Sequence, residues 1–124
     1  MEIIATPDAP QAIGPYSQAV KANGIVYTSG QIALDPATGK LVEGDFAAQV
    51  HRVFQNLAAI LQAARSDFSR VLKANVYLTD LENFDTLNGI YAEYFGDHKP
   101  ARTTIGVAQL PKESAVEIDL IALA

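Results

Sequence analysis

The clearest pattern in the chain is the spacing of apolar residues after Asp45. Phe46, Val50, Val53, Leu57, Ile60, Leu61 and Ala64 recur mostly three or four positions apart, which places them on one face of a helix of about five turns. Asp45 is the residue type that caps such a helix at its start. The other side of the helix carries Gln49, Arg52, Asn56 and Gln62. A second helix is predicted from a cap at Asp80 to a stop at Gly96. Its apolar positions are Leu81, Phe84, Leu87, Ile90, Tyr91, Tyr94 and Phe95.

Elsewhere the period is two. Between Val71 and Thr79, Leu72, Ala74, Val76 and Leu78 point one way, and Lys73, Asn75, Tyr77 and Thr79 the other. Between Ala115 and Ala124, Val116, Ile118, Leu120 and Ala122 share one side, opposite Glu117, Asp119, Ile121 and Leu123. Pro100 opens another extended segment, through Val107. Asn23-Gly24 separates Tyr16–Ala22 from Ile25–Ser29 and is a strong hairpin signal, because both residues tolerate positive φ. Asp35-Pro36-Ala37-Thr38-Gly39 marks a further turn. The order of elements predicts an α+β fold, a mixed six-stranded sheet with two helices on one face. The last strand carries apolar residues on both sides, so the uncovered face is expected to meet another copy of the chain in a closed cyclic homo-oligomer.

Composition narrows the possibilities further. With 124 residues, the chain fits one domain, residues 1–124. It is 49% hydrophobic and 19% charged, which excludes a disordered chain. No apolar run approaches the ~20 residues needed to span a bilayer. Met1–Pro7 has neither a basic start nor an apolar stretch, so no secretory signal is expected. The absence of cysteine removes disulfides and thiolate nucleophiles and suits a reducing, cytoplasmic setting. Nine basic residues stand against 14 acidic ones, for a net charge of −5, and the lysines are scattered. Such a chain repels polyphosphate, so no nucleic-acid partner is expected. His51 and His98 lack ligand spacing, so no metal site is expected; the nucleophile elbow, dinucleotide fingerprint and P-loop are all missing.

Four positions could carry chemistry. Asn88 falls inside the apolar arc of the second helix, either as a satisfied core amide or as a side chain aimed into a cavity. Glu117 lies mid-strand among apolar neighbours, where a carboxylate is costly unless it is paired or faces a cleft. It is a candidate general base, and Asp119, of the same parity, is its competitor. Arg102 opens an extended segment of small residues. It suits bidentate carboxylate binding, or a pair with Glu117 or Asp119. In Ser29-Gly30-Gln31, Gly30 suggests a close backbone approach or a bend, and Ser29 either donates to a ligand or closes a turn.

Taken together, Ala12-Ile13-Gly14-Pro15-Tyr16-Ser17-Gln18-Ala19, Thr28-Ser29-Gly30-Gln31-Ile32, Asn75–Leu81, Asn88, Pro100-Ala101-Arg102-Thr103, Leu110-Pro111-Lys112 and Val116-Glu117-Ile118-Asp119 resemble the RidA/YjgF family over essentially the whole chain. The resemblance implies a chorismate-mutase-like fold and a homotrimer with ligand clefts between subunits. It also implies cofactor-free hydrolysis of 2-iminobutanoate and 2-iminopropanoate to 2-oxo acids and ammonia. It places the carboxylate-binding arginine on Arg102 and the water-activating glutamate on Glu117. The ligand-lining residues fall on Tyr16, Ser29, Gly30 and Asn88, with packing as a second reading for Tyr16. Thr104 stands where many members have cysteine, at a position whose backbone contacts ligand or water, and the stretch from Phe95 to Arg102 is shorter than in some relatives. Two alternatives accompany this reading: a non-catalytic trimer that binds 2-oxo acids, and the endoribonuclease or translation inhibitor of the family's older names, which the acidic composition does not support.

Overall fold

Asn23 and Gly24 both adopt positive φ, 53° and 76°, the backbone that lets a two-residue turn match the twist of its flanking strands. They join β2 (Ala19–Ala22) to β3 (Ile25–Thr28), with Ala22 opposite Ile25. The structure, a computed structural model, describes all residues from 1 to 124. Glu2–Ile4 forms β1, a sixth strand that the alternation did not mark, antiparallel to β2. β2 begins only at Ala19, so Tyr16–Gln18, expected to start the extended run, lies outside the strand.

The remaining elements are α1 (Phe46–Ala63), β4 (Val71–Leu78), α2 (Phe84–Phe95), β5 (Ala101–Gly106) and β6 (Val116–Leu123). The sheet order is β1-β2-β3-β6-β4-β5. Only β4 and β5 pair in parallel, with α2 crossing between them, which makes the sheet mixed. The Asp45 carboxylate accepts the Ala48 N–H at 3.0 Å and caps α1.

Both helices pack on one face, as the apolar patterns require. Val50, Val53, Phe54, Leu57, Ile60 and Leu61 of α1 are buried with Val116, Ile118, Leu120 and Ala122 of β6 and Ala74, Val76 and Leu78 of β4. Phe54 stacks on Tyr94 of α2 at 4.6 Å and meets Phe68, Tyr91 and Phe95 edge-on.

Three expectations change. The β4 register slips between Val71 and Lys73, so Val71 takes the core position and Leu72 turns out to 44% exposure. Asp80 caps a separate short turn, Leu81–Asn83, and α2 starts only at Phe84. Leu81, 53% exposed, therefore leaves the apolar arc on which it was placed.

The third change concerns the polar side of α1, where Asn56 is fully buried. Its amide donates to the carbonyls of Leu34 at 2.9 Å and Ile32 at 3.4 Å, and its oxygen accepts from Arg52 Nε at 3.0 Å. Gln31 and Ile118 exchange two backbone hydrogen bonds, 2.9 and 3.1 Å. The segment from Gly30 to Leu34 is thus pinned between α1 and β6. Replacing Asn56 with alanine takes the donor from the part-buried Leu34 carbonyl, while the Ile32 carbonyl keeps the Leu34 N–H at 2.8 Å, and we expect Asn56→Ala to cost about 2 kcal/mol in urea unfolding. An unchanged midpoint would show that this tether contributes nothing.

Candidate active site

Because Val116, Ile118 and Leu120 point into the core, Glu117 and Asp119 point to the face without helices. Their surroundings differ. Asp119 accepts hydrogen bonds from Asn75 Nδ2 at 2.8 Å and Tyr77 Oη at 3.1 Å, so its charge is already committed. Burial, the nearby acid and that hydrogen bond push the Tyr77 phenol up. Glu117 has no such partners. Burial and then the negative charge of Asp119 hold its carboxyl above the usual glutamate range, with no cation or donor offsetting them. The structure therefore separates two acids of the same parity: Asp119 is structural and Glu117 is free.

Gly30 makes room for that free acid. A Cβ built there would lie 2.3 Å from Glu117 Oε2 and 2.8 Å from its Cδ. Glu117 and Gly30 form one wall of a pocket of about 360 Å³, together with Tyr16, Gln31, Pro111 and Lys112. Tyr16 is exposed at its rim, its hydroxyl accepting the Ile13 N–H at 3.4 Å. The N-terminal wall is held by buried Gln18, whose amide donates to the carbonyls of Thr6, Ala9 and Pro10 and whose oxygen accepts the Thr6 N–H at 2.7 Å. Sequence reasoning did not single out Gln18. Its only local signal is an amide directly before a strand, which does not reveal three carbonyls converging on it from a distant loop. Lys112, which lines the pocket, and its neighbour Glu113 take positive φ, 55° and 59°.

Ser29 stands behind this wall. Its hydroxyl donates to the Ser17 carbonyl at 2.5 Å, and its N–H to the Gln18 carbonyl at 2.9 Å. The serine thus ties two strand ends together and does not line the pocket.

Arg102 lies elsewhere. In the parallel register it sits opposite Ala74, a core residue, so its side chain is on the helical face of the sheet. Nη1 donates to Asn88 Oδ1 at 2.8 Å, and Cζ lies 4.8 Å from the Tyr91 ring centroid and 5.5 Å from that of Phe84. Asn88 is thus neither a sealed core amide nor free: its oxygen holds the guanidinium. A hollow of about 320 Å³ beside Arg102 is lined by Tyr91, Phe95, His98, Lys99 and Pro100 among others. Thr104 shares this face, opposite Val76, and its hydroxyl is buried without a partner. Within one chain, then, Tyr16, Gly30 and Glu117 come together on one side of the sheet, and Asn88, Arg102 and Thr104 on the other. A pair between Arg102 and Glu117 or Asp119 is not formed.

Two outcomes follow. Gly30→Ala is expected to expel the Glu117 carboxylate from its niche and lower its pKa toward that of an ordinary glutamate, read by carbon-13 NMR titration. An unmoved titration would refute the close approach. Since the folded-state pKa of Glu117 is raised, its ionised form disfavours the fold above that pKa. Glu117→Gln should therefore raise the melting temperature at neutral pH, and the gain should disappear in acid, below the ordinary glutamate range.

Comparison with known proteins agrees with the motifs and the fold. The sequence model of the family described as Endoribonuclease L-PSP matches residues 6–124. The human 2-iminobutanoate/2-iminopropanoate deaminase is 46% identical over 121 residues, spanning 98% of this chain and 88% of that protein. RidA from an Antarctic Psychrobacter superposes with a TM-score of 0.96 at 44% identity, covering 100% of both chains. Escherichia coli TdcF, solved with bound serine, superposes with a TM-score of 0.94 at 39% identity, covering 100% of this chain and 99% of that one. With matches of this extent in both sequence and fold, the chain belongs to the RidA/YjgF family, the group whose sequence model is described as Endoribonuclease L-PSP.

Proposed function

We propose that this protein hydrolyses reactive 2-imino acids, 2-iminobutanoate and 2-iminopropanoate, to 2-oxo acids and ammonia. The observation that carries the reading is Glu117: a carboxylate with no hydrogen bond or cation to offset its burial, lodged against Gly30 in an open pocket. A deaminase of these imines among the relatives supports the substrate class.

The working site is proposed to form between copies of the chain in a homotrimer, with the Glu117 wall of one subunit meeting the Arg102 edge of another. Two features support this. Arg102 and Glu117 occupy opposite faces of their own sheet. The face without helices also carries a row of apolar side chains, Ile3, Val20, Tyr27 and Ile121, paired across four strands.

The chemistry then runs as follows. The Arg102 guanidinium grips the substrate carboxylate and fixes the plane of its C=N bond. Asn88 orients that guanidinium from behind. Glu117 accepts a proton from water as the water oxygen bonds to C2 and the C=N π pair moves onto nitrogen. Glu117 returns the proton to that nitrogen. Glu117 then carries the carbinolamine hydroxyl proton to the same nitrogen, so that C=O forms as the C–N bond breaks and the nitrogen leaves as ammonia. One water is consumed for each 2-oxo acid released. Gly30 gives the carboxylate its room, Tyr16 closes the rim, and the backbone at Thr104 lines the approach from the Arg102 edge.

Arg102→Ala should abolish the acceleration of imine hydrolysis, followed as ammonia release from freshly generated 2-iminobutanoate, with the oligomer intact. A wild-type rate would remove Arg102 as the anchor. Glu117→Gln should keep 2-oxobutanoate affinity and lower kcat by about 100-fold or more. Because the base works only when ionised, kcat/KM should fall as pH drops through a pKa above the usual glutamate range, and this limb should vanish in Glu117→Gln. Binding of 2-oxobutanoate by the native protein without any acceleration of imine hydrolysis would replace the enzyme with the non-catalytic binding module.

A further inference from the structure

The Arg102 side chain makes one hydrogen bond within the chain and belongs to the edge strand β5, where a long side chain has many rotamers open to it. Something must select one of them if the fork is to meet a carboxylate without first being ordered. The structure offers a stripe of α2. Phe84, Asn88 and Tyr91 are spaced by four and three, so they share one face of the helix. All three converge on the guanidinium, the amide through Nη1 at 2.8 Å and the rings at 5.5 and 4.8 Å from Cζ.

Each ring has a feature that its fold role leaves unexplained. Phe84 is 37% exposed and stands outside the buried core, yet it is a large aromatic placed against Arg102. Tyr91 is rooted in the core by Phe95 at 4.4 Å and Phe54 at 5.9 Å, but its hydroxyl is buried without a partner. The hydroxyl therefore does not hold the arginine; the ring does. A guanidinium is planar and weakly hydrated, and it stacks on aromatic faces while its N–H edge stays available for a bidentate anion.

Resting on the proposed imine hydrolysis, we infer that Tyr91 and Phe84 are positioning residues. Their rings hold the faces of the Arg102 guanidinium, so that its N–H edge is ordered to receive the substrate carboxylate before the substrate arrives. Their contribution is to anion binding, not to water activation, since they touch the guanidinium and make no contact with Glu117, which in the proposed site comes from another subunit.

The test compares Tyr91→Phe, Tyr91→Leu and Phe84→Leu. Affinity for 2-oxobutanoate is measured by calorimetry, and kcat and KM are measured with 2-iminobutanoate. Tyr91→Leu should weaken affinity and raise KM by about three- to thirtyfold, the range of a cation–π contact, with kcat changed far less. Phe84→Leu, at a half-exposed site that does not threaten folding, should raise KM about two- to fivefold. Tyr91→Phe keeps the ring and should restore affinity to within about twofold. Wild-type KM in both leucine variants, or a loss in Tyr91→Phe as large as in Tyr91→Leu, overturns the inference. A loss in kcat with KM unmoved overturns it as well.

Nitrogen-15 NMR of Arg102 separates this result from the fate of the proposed function. The Nε–H resonance should be shifted by the rings in the native protein and in Tyr91→Phe, and should move toward that of a free arginine in the leucine variants. If the native protein neither binds 2-oxobutanoate nor hydrolyses the imine, the functional reading fails. The resonance then decides the positioning role, and its persistence in both leucine variants would refute it.

Discussion

The two-residue period of β6 is the constraint on which the molecule turns. Val116, Ile118, Leu120 and Ala122 must enter the core, so Glu117 and Asp119 are forced onto the face that no helix covers. A slip of one residue would put two carboxylates under α1 and the core residues outside. Central placement between β3 and β4 holds the register, with seven residue pairs between β4 and β6, from Val71 opposite Ala122 to Leu78 opposite Val116. The same hydrophobic burial that stabilises the fold is therefore what confines an acid to a partly dry surface.

What happens to each acid then depends on its neighbours across the strands. Asn75 and Tyr77 of β4 reach Asp119 and supply the donors that a half-buried charge needs. Glu117 sits opposite Tyr77 but receives neither donor. Instead it leans on Gly30, in a segment that Asn56 pins to α1 and Gln31 pins to Ile118. A chain that compensates one carboxylate and leaves its neighbour uncompensated stores a cost in the second, a pattern associated with acid–base sites.

The arginine follows a separate logic. α2 carries it by proxy: a helix stripe of two rings and an amide orders a side chain that belongs to an edge strand. Its cation lies on the helical face, too remote to neutralise Glu117. The guanidinium and the free carboxylate stay electrostatically independent in one chain, and the proposed trimer is what would bring them to one ligand. This separation explains why the Glu117 carboxyl stays raised even though the chain holds an arginine of matching chemistry.

Local pattern alone determined most of the elements. The α1 stripe, the Asn23-Gly24 hairpin and the alternation of β6 are written in residues a few positions apart, because helix and strand periods are properties of neighbouring backbone. Arg102, Glu117, Gly30 and Asn88 were also recognisable as residue types out of place in their surroundings. Tertiary structure decided the rest. Leu72 left the core because a bulge in β4 shifted the pairing. Asn56 entered it because a loop crossed the helix. Asp119 was separated from Glu117 by donors on another strand. Above all, no local period states that β5 pairs parallel to β4 and turns Arg102 away from Glu117; that depends on strand order, which is set by long-range pairing and not by any run of adjacent residues.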